Sequence, residues 1–140
     1  MYLQAVLIAV FVQVALTFAL MLSMAIMRRR ALASGAVRPQ DVVLDTQAWP
    51  EQSKKFANAF RNQFELPVLF YVLCILAIIT RQADTVFVVL AWVFVLLRLA
   101  HAAIFVTYNR LEHRGLVFAV GCLVLMVMWL VFAVDIVIGI

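Results

Sequence analysis

Residues 2–30 read YLQAVLIAVFVQVALTFALMLSMAIMRRR: an apolar run without a charge from Tyr2 to Met27, closed by Arg28, Arg29 and Arg30. A hydrocarbon core about 30 Å thick needs about 20 consecutive apolar residues in a helix, and this run exceeds it. A signal peptide carries its basic residues before the apolar run and a small-residue cleavage site after it. Here the arginines follow. The stretch therefore reads as an uncleaved membrane-spanning helix, 2–27, with its N-terminus on the outer side.

Three further apolar stretches lie downstream, and the whole chain, 1–140, reads as a single integral membrane domain with spans at 2–27, 50–80, 85–107 and 115–140. Of its 140 residues 68% are hydrophobic and 13% charged, and the mean hydropathy is +1.12. A soluble domain is about 45–50% apolar and about 25% charged, and a disordered chain is poorer still in apolar surface. Neither fits. The apolar runs are continuous, without the period of two that a transmembrane barrel requires. The expected fold is an all-α membrane protein, a four-transmembrane-helix bundle.

Between the spans, loop 28–49 carries the breakers Gly35, Pro39, Asp41 and Asp45. A helix restarts at Pro50, with Glu51 complementing its dipole. It is amphipathic from Ser53 to Phe64 and apolar from Leu66 to Thr80. Pro67 predicts a kink that frees the carbonyl of Gln63. The turn Arg81 to Asp84 and the basic stretch Tyr108 to Arg114 make the remaining connections.

Charge fixes the orientation. Arg28, Arg29, Arg30, Arg38, Lys54, Lys55, Arg110 and Arg114 fall on one side and Arg81 alone on the other. Positive-inside then places loop 28–49 in the cytoplasm and both termini on the non-cytoplasmic side. A net charge of +4 and a pI near 9.6 reflect topology and anionic lipid headgroups rather than nucleic acid. Cys74 and Cys122 lie inside apolar runs and read as small fillers.

Ionisable residues at membrane depth are functional candidates, and two groups stand out. Asn58, Asn62 and Glu65 share one helical face, and Arg61 and Glu65 have the i, i+4 spacing of an ion pair. As a bland alternative, this group is the wet end of a helix. On the third span Arg98, His101, Phe105 and Tyr108 share a face. Arg98 lies too deep for easy snorkelling, so it is expected to face the bundle interior with Glu65 as its partner. Gln13 is expected to hydrogen-bond between helices, and Asp135 to be solvated. No metal site is expected, since no His, Cys and carboxylate cluster has ligand spacing. A transporter draws little support, with no broken-helix pair around a midplane acidic site.

With these residues in hand, the chain resembles the MAPEG family, the membrane-associated proteins in eicosanoid and glutathione metabolism. Arg61-Asn62-Gln63-Phe64-Glu65 matches the family's Arg-Asn-x-x-Glu signature on the second helix, with a proline soon after. Arg98-Leu99-Ala100-His101 is similar to its Arg-x-x-His on the third. Arg114 sits where the family places its thiol-activating arginine, and the run from Tyr108 to Gly121 looks like bacterial members. The resemblance implies a homotrimer, in the inner membrane of a bacterium, with glutathione as cosubstrate in clefts between subunits. Arg61, Asn62, Glu65, Arg98 and His101 would line the cleft, with Arg28 and Arg30 contributing from the first helix and Arg114 as the catalytic residue. The implied activity is a glutathione-dependent transferase or peroxidase acting on lipophilic electrophiles or hydroperoxides that enter from the lipid bilayer. Asn58 stands where many eicosanoid-pathway members have another arginine, and Phe105 where they have a tyrosine. Both remove polar contacts to glutathione. The alternative they motivate is a non-catalytic structural or accessory subunit of a larger membrane complex.

Overall fold

The computed structural model describes residues 2–139 and is all helix and loop, with no strand among them. The first helix, α1, covers Leu3–Ala33; α2 is the single turn Pro39–Val42, followed by a 3₁₀ turn at Thr46–Ala48. Helix α3 spans Glu51–Asn62, α4 Leu66–Ile79, α5 Thr85–Val106 and α6 Leu111–Ile138. Taking α3 and α4 as one span, four helical segments are long and apolar enough to cross a membrane. A segment in hydrocarbon must satisfy every backbone polar group internally, and a helix does so without a partner.

Two ties fix the up-and-down order. At one end the backbone N–H of Tyr2 donates to the carbonyl of Ala83, 3.2 Å away. At the other, Gln52 Nε2 donates to the carbonyl of Val106 at 2.7 Å, and Lys55 Nζ to that of Thr107 at 3.1 Å. The basic ends of α1, α3, α5 and α6 therefore collect together. Between them Arg38 forks Asp41 at 2.8 and 3.1 Å. That hydrogen bond, more than the charge, holds the Asp41 carboxyl below the usual carboxylate range. The contact is present at neutral pH and is lost only as pH falls through that lowered value.

Several boundaries differ from the sequence expectation, each for a local reason. Helix α1 runs past Met27 through the three arginines, which are good helix formers, with Arg29 and Arg30 exposed. It stops where Gly35 takes the left-handed conformation at φ 76°. The fourth span begins at Leu111, so Arg114 lies within its first turn, and its expected end at Ile140 is outside the described residues. The largest difference is at Pro67. In place of a kink, the second span is interrupted at Gln63–Glu65, and i to i−3 bonds tighten this stretch, Glu65 N–H to Asn62 O at 3.2 Å among them. Proline has no N–H to donate and its ring crowds the carbonyl four residues back, so the ladder cannot continue through it.

The main core joins α1, α4, α5 and α6 around Val6, Phe70, Leu73, Phe94, Leu125 and Met128, with Phe70 and Phe94 stacked at 4.8 Å. Alanines at Ala9, Ala77 and Ala91 let the helices approach closely, the usual device where lipid tails leave no hydrophobic drive between helices. The outward faces carry Ile8, Phe11, Phe18, Leu123 and Leu130, all exposed, as suits helices long and apolar enough to cross a membrane.

A buried polar strut crosses this core. Gln13 Nε2 donates to Gln63 Oε1 at 2.7 Å, with both side chains essentially inaccessible. It ties α1 to the interruption in the second span. Replacing Gln13 with Leu leaves Gln63 Oε1 without its donor, and the expected cost is about 0.6–1.7 kcal/mol. Thermal unfolding followed by circular dichroism in detergent checks it.

Candidate functional site

Helix α3 supplies the polar wall of the site. Lys54, Asn58 and Arg61 recur at helical spacing and line one side of a groove that the loop residues Thr46 and Gln47 border on the other. The groove is widest at two places. Near Met24, Arg28, Phe60, Arg61 and Phe64 it encloses about 350 Å³. Near Asn58, Phe105, Asn109 and Arg114 it encloses about 320 Å³. A hollow of about 20 Å³ at Arg28, Lys54, Asn58 and Arg61 lies between them and shares wall residues with both. Arg28 and Arg61 thus line one part of this basic surface and Arg114 the adjoining part, with Lys54 and Lys55 between them and Glu51 as the one acid among these wall residues. Such a surface is built for an anion.

Each arginine is held differently. The Arg28 guanidinium lies 5.0 Å from the centre of the Trp49 ring, and its Nε has no partner among the described residues. Arg114 donates from Nη1 to Asn109 Oδ1 at 2.5 Å and stacks 4.4 Å above the centre of Phe105. His101 packs edge-on to Phe105 at 5.8 Å and against Phe118 at 5.6 Å. It therefore backs the aromatic platform on which Arg114 rests. Arg61 makes no ion pair with Glu65 among the described residues. The expected i, i+4 pair fails because the helix is interrupted between them.

Deeper in the bundle, Arg98 is 1% exposed. Its expected partner was Glu65, but the structure inserts Asn62. Arg98 Nη2 donates to Asn62 Oδ1, and Asn62 Nδ2 donates to Glu65 Oε2 at 3.1 Å. The non-helical turn at Gln63–Glu65 makes this relay possible by turning the Glu65 carboxylate back toward Asn62. Nε and Nη1 of Arg98 remain without partners among the described residues.

The sequence candidates therefore divide into three sets. Arg28, Arg61 and Arg114 border the row of hollows; Asn62, Glu65 and Arg98 form the relay beside it; His101 lies behind Phe105. Arg30 belongs to none of these, since it borders a separate hollow on the opposite flank of α3. Among the described residues no group of three or more His, Cys, Asp and Glu side chains could hold a metal ion.

Three contributors were not singled out as site residues. Trp49 carries no periodic signal that links it to Arg28, because a loop separates them. Gln63 was marked only through its carbonyl. Asn109 has a signal: φ is 49° there, and asparagine tolerates the left-handed region better than most residues. Asn109→Gly keeps that backbone conformation and removes only the tether on Arg114. On the function proposed below, the expected result is an unchanged fold with a weaker anion site, read as a several-fold rise in the Kd for glutathione by isothermal titration.

No curated protein and no solved structure matches the chain. A family model does, over residues 6–134, which takes in the groove and the relay and reaches into all four spans. The chain belongs to the MAPEG family, integral membrane proteins of glutathione and eicosanoid metabolism.

Proposed function

We propose that the chain is a membrane-embedded glutathione-dependent transferase or peroxidase acting on lipophilic substrates. The observation that carries this reading is the row of adjoining hollows bordered by Arg28, Arg61 and Arg114 at the basic end of the bundle. Glutathione presents two carboxylates, an amine and a thiol. Charge-assisted bonds from Arg28 and Arg61 suit the carboxylates, and the Glu65 carboxylate, exposed and steadied by Asn62, suits the amine. Arg28 is preferred to Arg30 because it borders the same groove as Arg61. A free thiol has a pKa near 8.5, and a neighbouring guanidinium lowers it, raising the thiolate fraction at neutral pH. Arg114, fixed by Asn109 and Phe105, takes that role.

The thiolate then attacks an electrophilic carbon and forms a C–S bond as the leaving group departs with its electron pair. With a hydroperoxide it attacks the terminal oxygen; the O–O bond breaks and the alkoxide takes a proton to become the alcohol. The other product is the sulfenic acid of glutathione, which a second glutathione converts to the disulfide with release of water. Homotrimeric assembly completes the cleft between subunits, and the basic end faces the cytoplasm of a bacterial cell, with both termini on the other side of the inner membrane. An ultraviolet difference titration of the solubilised protein with glutathione tests the reading. A saturable thiolate band at neutral pH supports it; no band from a folded protein overturns it.

A second reading, a non-catalytic accessory subunit, draws on Asn58 and Phe105, which offer the groove fewer charged or hydroxyl contacts. Copurification of a stoichiometric partner, with no thiolate band, distinguishes it.

A further inference from the structure

Arg30 stands apart from the groove just described. It borders a hollow of about 300 Å³ between the last turns of α1 and the first turn of α3, which shares no wall residue with that groove. The hollow has an apolar wall, including Met27, Ala31 and Ala36, and a cationic mouth. Arg30 is exposed and makes no ion pair among the described residues.

Two features add to the mouth. No side chain caps α3, so its first-turn amides are open to an anion. Ser53, in that first turn, lines the hollow; it is 2% exposed and its hydroxyl has no partner among the described residues. Glu51, in the same first turn, lies 3.9 Å from Lys55 and borders the Arg114 hollow instead.

Below the mouth the surface of α1 changes character. Leu22, Ile26 and Arg30 are spaced i, i+4, i+8, so they form one stripe, and the two aliphatic residues are more than half exposed. An apolar track thus leads from the membrane-facing surface to a basic, amide-lined end. A free phosphate would use only the mouth. A molecule with an anionic head and an acyl chain uses both.

We propose that this hollow binds an anionic phospholipid, its phosphate on Arg30 and the first turn of α3 and its acyl chain along Met27, Ile26 and Leu22. The site is independent of the proposed glutathione chemistry. Native mass spectrometry of the full chain in detergent, titrated with phosphatidylglycerol or phosphatidylcholine, reads it directly. The expected result is a preference of about fivefold for phosphatidylglycerol. Arg30→Gln removes that preference. Ala36→Trp, a substitution at an exposed loop position, fills the hollow without changing charge and removes it too. Arg29→Gln, at an exposed arginine outside the hollow, keeps it. The proposal is overturned if the preference survives both Arg30→Gln and Ala36→Trp, or if Arg29→Gln abolishes it equally, which would indicate diffuse charge attraction. It is also overturned if inorganic phosphate displaces the lipid at equal concentration, which would indicate a free-anion site. Should Arg30→Gln fail to fold, Ala36→Trp decides.

Discussion

Arg114→Ala is expected to abolish the glutathione thiolate band at neutral pH and to lower glutathione-dependent turnover by about 10²–10³-fold, the usual loss when one fixed electrostatic stabiliser is removed from an active site. The reason lies in how the side chain is held. Asn109 bonds one nitrogen and Phe105 supports the face of the guanidinium, so the cation is in place before the ligand arrives. Arg114→Lys keeps the charge but loses both the planar stack and the forked donor geometry. It is therefore expected to recover only part of the band. Because Arg114 is half-buried at the start of α6 and outside the main core, neither variant is expected to shift the melting temperature greatly. A titration and a melting curve on the same samples separate loss of the site from loss of the fold. Unchanged turnover in Arg114→Ala would sink the catalytic assignment.

The spans were legible in the sequence because their signal is one-dimensional: apolar length and the position of charge. The Arg-Asn-x-x-Glu and Arg-x-x-His patterns were legible for the same reason, each lying within a few residues on one helix. What the sequence did not give away was pairing across elements. Arg98 was expected on Glu65, and Arg61 on Glu65, because a continuous helix would have presented them so. The single fact that alters both is the extent of the interruption before Pro67. A proline announces a lost hydrogen bond, but whether the chain kinks or opens for three residues depends on what can satisfy the freed groups. Here Gln13, fifty residues away, holds the Gln63 side chain rather than its freed carbonyl, and no local pattern encodes which partner Gln13 finds. Trp49 under Arg28 is likewise a meeting of loop and helix, decided by the path of loop 34–50.

The relay at that interruption carries the largest expected stability effect. Asn62→Leu removes the one hydrogen bond that the buried Arg98 guanidinium makes to a side chain. Removing a hydrogen bond to a buried charged group typically costs about 1.5–3 kcal/mol, because the guanidinium loses its acceptor with no water to replace it. The double substitution Asn62→Leu with Arg98→Met removes the charge as well, and a buried polar pair replaced by apolar groups of similar size is often nearly neutral. The double variant is therefore expected to melt close to the parent protein and well above Asn62→Leu alone. That inversion is what a desolvated charge demands; two independent losses would instead add. The same pair bears on function. With Asn62 gone, Glu65 loses its 3.1 Å contact, so even the stable double variant is expected to bind glutathione more weakly. A double variant that regains stability but not affinity would show that Arg98 and Asn62 are kept for the position of Glu65 and not for the fold. Regaining both would leave the relay with a purely structural role.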